Sequence, residues 1–379
     1  MKIAYVTTYN AFDIQAWSGS GYHILRSLQN SGVEVECIGD LKDHDFYISK
    51  FKKIIYRIAL RKKYICDREP ILLKNYAEQV RKAVELINPD IIFSPGTVPI
   101  AYLESDKPIV YWTDATFAGM CNFYPQFSNL CSESIRNGNE MEQQALSKCK
   151  LAIYSSEWAA MSAIDNYKVD ASKVKVVPFG ANVECDRNIE SIYKIIEGKK
   201  FDTLKLLFIG VDWYRKGGDK ALAVAEMMNE KGYKTELHVV GCTPPFPTPH
   251  FVKKHGFISK NNEYGRRKIN QLYSESHFFI LPSLAECAAV VLAEASSFGL
   301  PSITTNVGGI TTIIKNDVNG RAFDVNEAPE ELCKYIEDIV ISKETYRRIS
   351  ISSFMEYSTR LNWQSSGNKV VQLIKDHVY

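Results

Sequence analysis

No paired cysteine motif, no long apolar run and no excess of charge marks this sequence, and each absence removes a class of protein. The nine cysteines (Cys37, Cys66, Cys121, Cys131, Cys149, Cys185, Cys242, Cys287 and Cys333) are scattered, odd in number and without a CxxC pair. That pattern argues against both a disulfide framework and a zinc site, and fits a reducing cytosol. No run of about eighteen apolar residues occurs, which excludes an ordinary spanning helix. The opening MKIAYVTTYN enters a strand-like segment directly, so no signal peptide is expected and the chain reads as cytoplasmic, soluble or peripheral. A formal net charge of +2 gives no reason to expect nucleic acid as a partner. A GxGxxG turn after a strand, with an acidic residue about twenty positions on, is missing, which disfavours a dehydrogenase. No Ser/His/Asp or Cys/His constellation and no paired acid and base is evident.

What is present fits an ordinary globular enzyme. The 379 residues exceed what one growing core accommodates, so two compact domains with a cleft between them are expected. Hydrophobic content of 45% and charged content of 24% allow large cores in both. Short β-branched and aromatic runs alternate with helical patterns at Ile3–Val6, Val33–Ile38, Asp90–Phe93, Ile109–Trp112, Leu151–Tyr154 and Val174–Val177. A second series follows at Leu206–Ile209, Leu237–Val240, Phe278–Leu281 and Ser302–Thr304. Alternation of this kind predicts βαβ units and two parallel sheets. The charged stretch Glu184–Lys205, with one short helical pattern, is where the linker is expected, giving domains over 1–184 and 185–361. At the end, Val370, Val371, Ile374 and Val378 form an apolar helical stripe that must cover something.

The densest chemistry begins at Phe278, in FFILPSLAECAAVVLAEASSFGLPSITTNVGGITTIIKNDVNGRAF. Glu286 and Glu294 are eight residues apart within it. Two residues so spaced on one helix lie two turns apart and differ by about 80°, too far apart to serve one small ligand from mid-helix. The spacing makes sense if Glu286 is in a loop and the helix starts near Ala288 or Ala289. The amides of Cys287, Ala288, Ala289 and Val290 would then face a diphosphate beyond the strand. Glu286 would face the sugar, and Glu294 could accept bonds from ribose hydroxyls. For an isolated pair, two solvated carboxylates would be the preferred reading.

The ordered context outweighs that reading. Leu281-Pro282-Ser283, Glu286, Glu294-Ala295, Gly299-Leu300-Pro301, Gly308-Gly309 and Asn319-Gly320 together resemble the glutamate-x7-glutamate signature of family 4 retaining glycosyltransferases. The resemblance implies the α/β fold called GT-B, two Rossmann-like domains with a C-terminal helix (362–379) returning to the first. It also implies transfer with retention, without a metal ion or other cofactor, from a nucleotide diphosphate sugar to a hydroxyl acceptor. A UDP-sugar donor and a glycan or lipid-linked acceptor are the expectation. The chain departs from the family in reading Glu286-Cys287-Ala288-Ala289 where Glu-Gly-Phe-Gly is common, and alanine disfavours left-handed dihedrals.

By the same resemblance Lys216, in Arg215-Lys216-Gly217-Gly218, is the donor-phosphate lysine, and Arg215 is the candidate to replace the family's displaced arginine. Both would stabilise charge on the leaving diphosphate; alone, RKGG would be an exposed basic turn. HVVG at His238–Gly241 and GFI at Gly256–Ile258 correspond to segments beside the nucleotide, with Ile258 a backbone contact for the base. In the N-terminal half, Gly19, Ser20 and Gly21 follow the first strand and could bring amides to the diphosphate, or simply form a turn. IVYWTDATF carries no histidine where many members have one: either Thr113 or Asp114 stands there. Asp114 could orient a donor hydroxyl or the acceptor, or serve as a helix cap.

Two further features do not belong to that pattern. Asp43-His44-Asp45 has the form of a DxD metal motif in the wrong context, and reads as a polar loop. The segment 51–65 is basic and partly amphipathic, and could meet an anionic membrane. A solvated basic face with a core-facing apolar stripe is its favoured reading. The rivals to a transferase are another two-Rossmann sugar-nucleotide enzyme such as an epimerase, and a non-catalytic sugar-nucleotide-binding subunit.

Overall fold

The computed structural model describes residues 1–43, 46–184 and 186–378. The chain divides into two compact units, Met1–Phe179 with Trp363–Tyr379, and Gly180–Asn362. The first division falls at 179/180 and not at 184/185. Phe179 is buried in an aromatic cluster with Trp17, Trp112 and Trp363, while the Ala181 amide donates to Leu361 O at 3.0 Å. The stretch read as a linker is a packed helix, Ile189–Glu197, whose Ile192 and Ile196 lie in the core of the second unit. Cys185 is outside the described residues, and the other eight cysteines are free.

In the first unit six parallel strands, β1 (Lys2–Val6), β2 (Glu34–Ile38), β3 (Ile91–Ser94), β4 (Ile109–Thr113), β5 (Leu151–Tyr154) and β6 (Val174–Val176), take the order β2-β1-β3-β4-β5-β6. The inner strands are buried along nearly their whole length, which is why they read as continuous apolar runs and not as alternation. The C-terminal helix Trp363–Val378 lays Val370, Val371 and Ile374 against this unit. It lies so close to the helix Ser20–Asn30 that a Cβ on Gly367 would stand 2.6 Å from Ser27 O.

In the second unit β7 (Leu204–Ile209), β8 (Thr235–Val240), β9 (Val252–Gly256), β10 (Phe278–Leu281), β11 (Ser302–Thr305) and β12 (Gly320–Phe323) take the order β12-β11-β10-β7-β8-β9, again all parallel. The two edge strands, β9 and β12, have no counterpart in the apolar runs of the sequence. An edge strand is half solvated and tolerates charge, and Lys253, Lys254 and Arg321 sit on them. The chain runs outward from β7 through β8 to β9, then starts again on the other side of β7 with β10. The carboxyl ends of β7 and β10 therefore flank a topological switch point, where open α/β sheets place their ligands.

Candidate functional site

Two loops leave that switch point, and each carries part of the expected site. The loop after β7 turns through Arg215-Lys216-Gly217-Gly218 into the helix Gly218–Glu230. Gly217 has φ +77°, and a Cβ there would stand 1.9 Å from Pro282 O, so the turn rests directly on the loop after β10. The Leu284 amide donates to Arg215 O at 2.8 Å, joining the two loops a second time.

This docking brings Glu286 to both cations. The Lys216 ammonium lies 2.5 Å from Glu286 Oε1 and an Arg215 guanidinium nitrogen 3.3 Å from the same oxygen. Ser283 Oγ donates to it at 3.0 Å, and Arg215 also donates to Ala285 O at 2.9 Å. Glu286 is 4% exposed, a burial that a carboxylate tolerates only with such partners. Two cations share one buried carboxylate, and the more exposed Asp212 carboxylate lies 3.8 Å from Arg215.

The helix after Glu286 begins at Val290, just past the expected start, and runs to Ser296. Ala289, at φ −80° and ψ 70°, is the centre of an inverse γ-turn in which the Val290 amide donates to Ala288 O at 2.9 Å. The Val290 amide is therefore engaged within the loop and does not face outward, contrary to expectation. Among the described residues, those with positive φ do not include Cys287, Ala288 or Ala289. This loop needs no left-handed residue, which is the physical reason it dispenses with the glycines common at these positions.

Glu294 stands near the middle of that helix and is equally buried, but its partners are not the cations of Glu286. Lys260 Nζ donates to Glu294 Oε1 at 2.6 Å and Tyr273 Oη to Oε2 at 2.9 Å. Burial, and then the Glu294 charge, push the Tyr273 hydroxyl far above its ordinary pKa and keep it a donor. Lys260 and Tyr273 were not singled out in the sequence. Lys260 had one available signal: it follows Ile258 by two positions, in the loop beyond β9. Ile258 itself is partly buried against the core of the second unit. The sequence thus predicts two glutamates with different duties, and the structure gives them separate sets of partners.

In the first unit Gly19 (φ +85°) precedes the helix Ser20–Asn30, after two further left-handed residues, Trp17 and Ser18. Tyr5 Oη donates to Gly21 O at 2.7 Å, and a Cβ on Gly21 would stand 2.1 Å from Tyr9 Oη. Burial, then the charges of Asp114 and Asp13, push the Tyr9 hydroxyl up to about 12. Asp114 thus acts on Tyr9 across the ends of β1 and β4. It is not a helix cap: Thr116 caps the helix Phe117–Met120, accepting from the Gly119 amide at 3.0 Å. Tyr9 is a polar residue of this region that sequence reasoning missed. His44 and Asp45 lie outside the described residues, and Asp43 accepts from Tyr76 Oη at 2.9 Å.

Residues 191–353 match the model of the glycosyl transferases group 1 family, a span inside the second unit. A curated relative, the lipopolysaccharide glucosyltransferase WaaG of Escherichia coli, is 30% identical over 153 residues, which is 38% of this chain and 40% of that protein. The chain spans between 40% and 58% of the length of this and the next two curated relatives. Among solved structures, sucrose-phosphate synthase from Thermosynechococcus elongatus superposes with a TM-score of 0.70 at 14% identity, over 99% of this chain and 98% of that one. HepE from Anabaena, solved in complex with UDP and glucose, gives 0.65 at 14% identity, over 99% and 100%. These likenesses extend over the whole chain, and the fold is GT-B.

Proposed function

We propose that this protein is a retaining glycosyltransferase that moves a hexosyl group from a UDP-sugar to a hydroxyl of a glycan or lipid-linked glycan, in polysaccharide biosynthesis on the cytoplasmic side of a membrane. The observation that carries the reading is the convergence of Arg215, Lys216 and Glu286 at the switch point of the second sheet. The relatives support its class: one is named a lipopolysaccharide glucosyltransferase, and one is solved with UDP and glucose.

In this reading the diphosphate of the donor lies against Lys216 and Arg215, exchanging with Glu286 as their counter-ion. Negative charge grows on the diphosphate as the glycosidic bond breaks, so both cations stabilise the transition state more than the bound donor. They supply the charge that a divalent metal would otherwise supply. The freed Glu286 carboxylate orients the sugar, Glu294 takes the ribose hydroxyls, and Ile258 borders the base. The leaving diphosphate accepts the acceptor's proton on the same face, which accounts for retention. Within the first unit, Gly19, Ser20 and Gly21 are read as donor-binding and Asp114 as orienting a hydroxyl.

The test is turnover of a UDP-sugar panel, with hydrolysis followed in the absence of acceptor. Activity should survive EDTA, and Lys216→Ala should lower kcat by more than it raises donor KM. A complete, magnesium-reversible loss in EDTA would overturn the metal-free mechanism. An unchanged kcat in Lys216→Ala would return Arg215-Lys216 to surface charge. No turnover of any donor, with UDP still bound, would identify a binding subunit.

A further inference from the structure

The helix Phe46–Ala59 faces the wrong way for a soluble protein. Its side turned to the first unit is polar: Lys52 reaches Glu69 at 2.9 Å and Glu133 at 2.7 Å, Tyr56 Oη donates to Glu133 at 2.8 Å, and Ser49 is buried. Among the described side chains, its apolar residues from Phe51 onward point outward. Phe51 is 65% exposed, Ile54 55%, Ile55 45% and Ile58 74%, and Leu60 follows just past the helix end at 60%. At 100° per residue, Phe51, Ile54, Ile55 and Ile58 fall within a stripe about 100° wide, roughly opposite Ser49 and Tyr56. The core-facing stripe expected from the sequence is therefore corrected: the stripe is the solvent face, and ion pairs hold the helix to the protein.

The surroundings of the stripe are of one sign. From Ser49 to Cys66 the chain contains seven Lys or Arg residues and no Asp or Glu. Among the described residues, Lys53, Arg57, Arg61 and Lys62 form no ion pair, and all four are exposed. On the helix, Arg57 lies about 60° beyond one edge of the stripe, and Lys53 lies farther round, toward Ser49. Exposed apolar side chains beside unpaired cations complement a surface that is apolar within and anionic at its rim, as an acidic lipid bilayer is. Among the described residues no helix is long and apolar enough to cross a membrane, so the contact would be peripheral.

We propose that the helix Phe46–Ala59, with the basic turn after it, docks this protein on an anionic lipid surface, inserting Phe51, Ile54 and Ile58 among the acyl chains while Arg57, Arg61 and Lys62 meet the headgroups. The proposal does not depend on the donor chemistry, and it would bring a lipid-linked acceptor to the enzyme. Its test is co-sedimentation of the full chain with phosphatidylcholine vesicles containing phosphatidylglycerol, against phosphatidylcholine alone, at low and high salt. The protein should bind the anionic vesicles, more weakly in salt. Phe51→Ser/Ile58→Ser should bind at least about tenfold more weakly, and Arg57→Gln/Lys62→Gln about tenfold or more. Both should melt like the parent, since none of the four side chains is buried, and should keep its calorimetric affinity for UDP. Parental binding by the serine variant, or equal binding to both kinds of vesicle, would overturn the proposal. So would the absence of vesicle binding with a concentration-dependent dimer that the serine variant abolishes, which would assign the stripe to a second copy of the chain.

Discussion

Glu286 and Glu294 are chemically identical and equally buried, and differ only in what surrounds them. Glu286 shares one oxygen among Lys216, Arg215 and Ser283; Glu294 divides two oxygens between Lys260 and Tyr273. An anionic ligand arriving at Lys216 competes with Glu286, whereas a hydroxyl-bearing ligand can add to the remaining lone pairs of Glu294 without dislodging Tyr273. The variants should separate these duties. Glu294→Gln should weaken free UDP by ~1.5–3 kcal/mol, because a neutral amide makes poorer bonds to ribose and leaves Lys260 without its counter-ion. Glu286→Gln should bind free UDP at least as tightly as the parent, since it removes the carboxylate that competes for Lys216 and Arg215, and should lower transfer if the carboxylate acts on the sugar and the transition state. Calorimetry with UDP on both variants decides: equal weakening removes Glu286 from the sugar, and no weakening in either removes both from the site.

At the scale of elements, the site depends on two loops resting on one another, and Gly217 is the contact. Any side chain there meets a carbonyl, Pro282 O, that belongs to the loop carrying Glu286, and must hold a left-handed φ besides. Gly217→Ala should cost about 1–3 kcal/mol in backbone strain alone, read from denaturant unfolding. Activity should fall further than that loss of stability explains, because the cations move relative to Glu286. A variant with parental stability and parental turnover would show that the turn is not what sets the site. The neighbouring inverse γ-turn at Ala289 illustrates the opposite case, a tight loop made with ordinary dihedrals that accepts alanine.

For the molecule as a whole, the second unit carries an acid-sensitive group at the entry to β10. His277 is 2% exposed; its Nδ1 accepts from the Lys205 amide at 3.0 Å and its Nε2 lies 3.0 Å from Lys200 O. Burial first, and then the nearby Lys199 charge, push its pKa down to about 3. Protonation would also cost the bond from the Lys205 amide. The unfolded chain binds a proton near the ordinary histidine pKa of about 6.5, and the folded one does not until about 3. Stability from this group is therefore complete above about pH 6.5 and is lost as pH falls toward 3, with a slope near 1.4 kcal/mol per pH unit. Denaturant unfolding between pH 7 and 4 should show that slope, and His277→Gln should flatten it. An unchanged slope in the variant would place the acid sensitivity elsewhere.

The sequence by itself determined the inner strands, the two parallel sheets, the returning C-terminal helix and the pairing of a loop glutamate with a helix glutamate. These follow from local pattern: a strand buried on both faces must be apolar throughout, and an eight-residue spacing excludes a shared mid-helix site. Tertiary structure alone decided the edge strands β9 and β12, which are half solvated and carry no apolar signature. It decided that Lys260 and Tyr273 meet Glu294, residues brought together from three separate elements. It also decided the facing of the helix Phe46–Ala59. A helical period defines an apolar stripe but not which side meets the protein, and here Glu69 and Glu133, supplied by other segments, hold Lys52 and Tyr56 inward and leave Phe51, Ile54 and Ile58 outside.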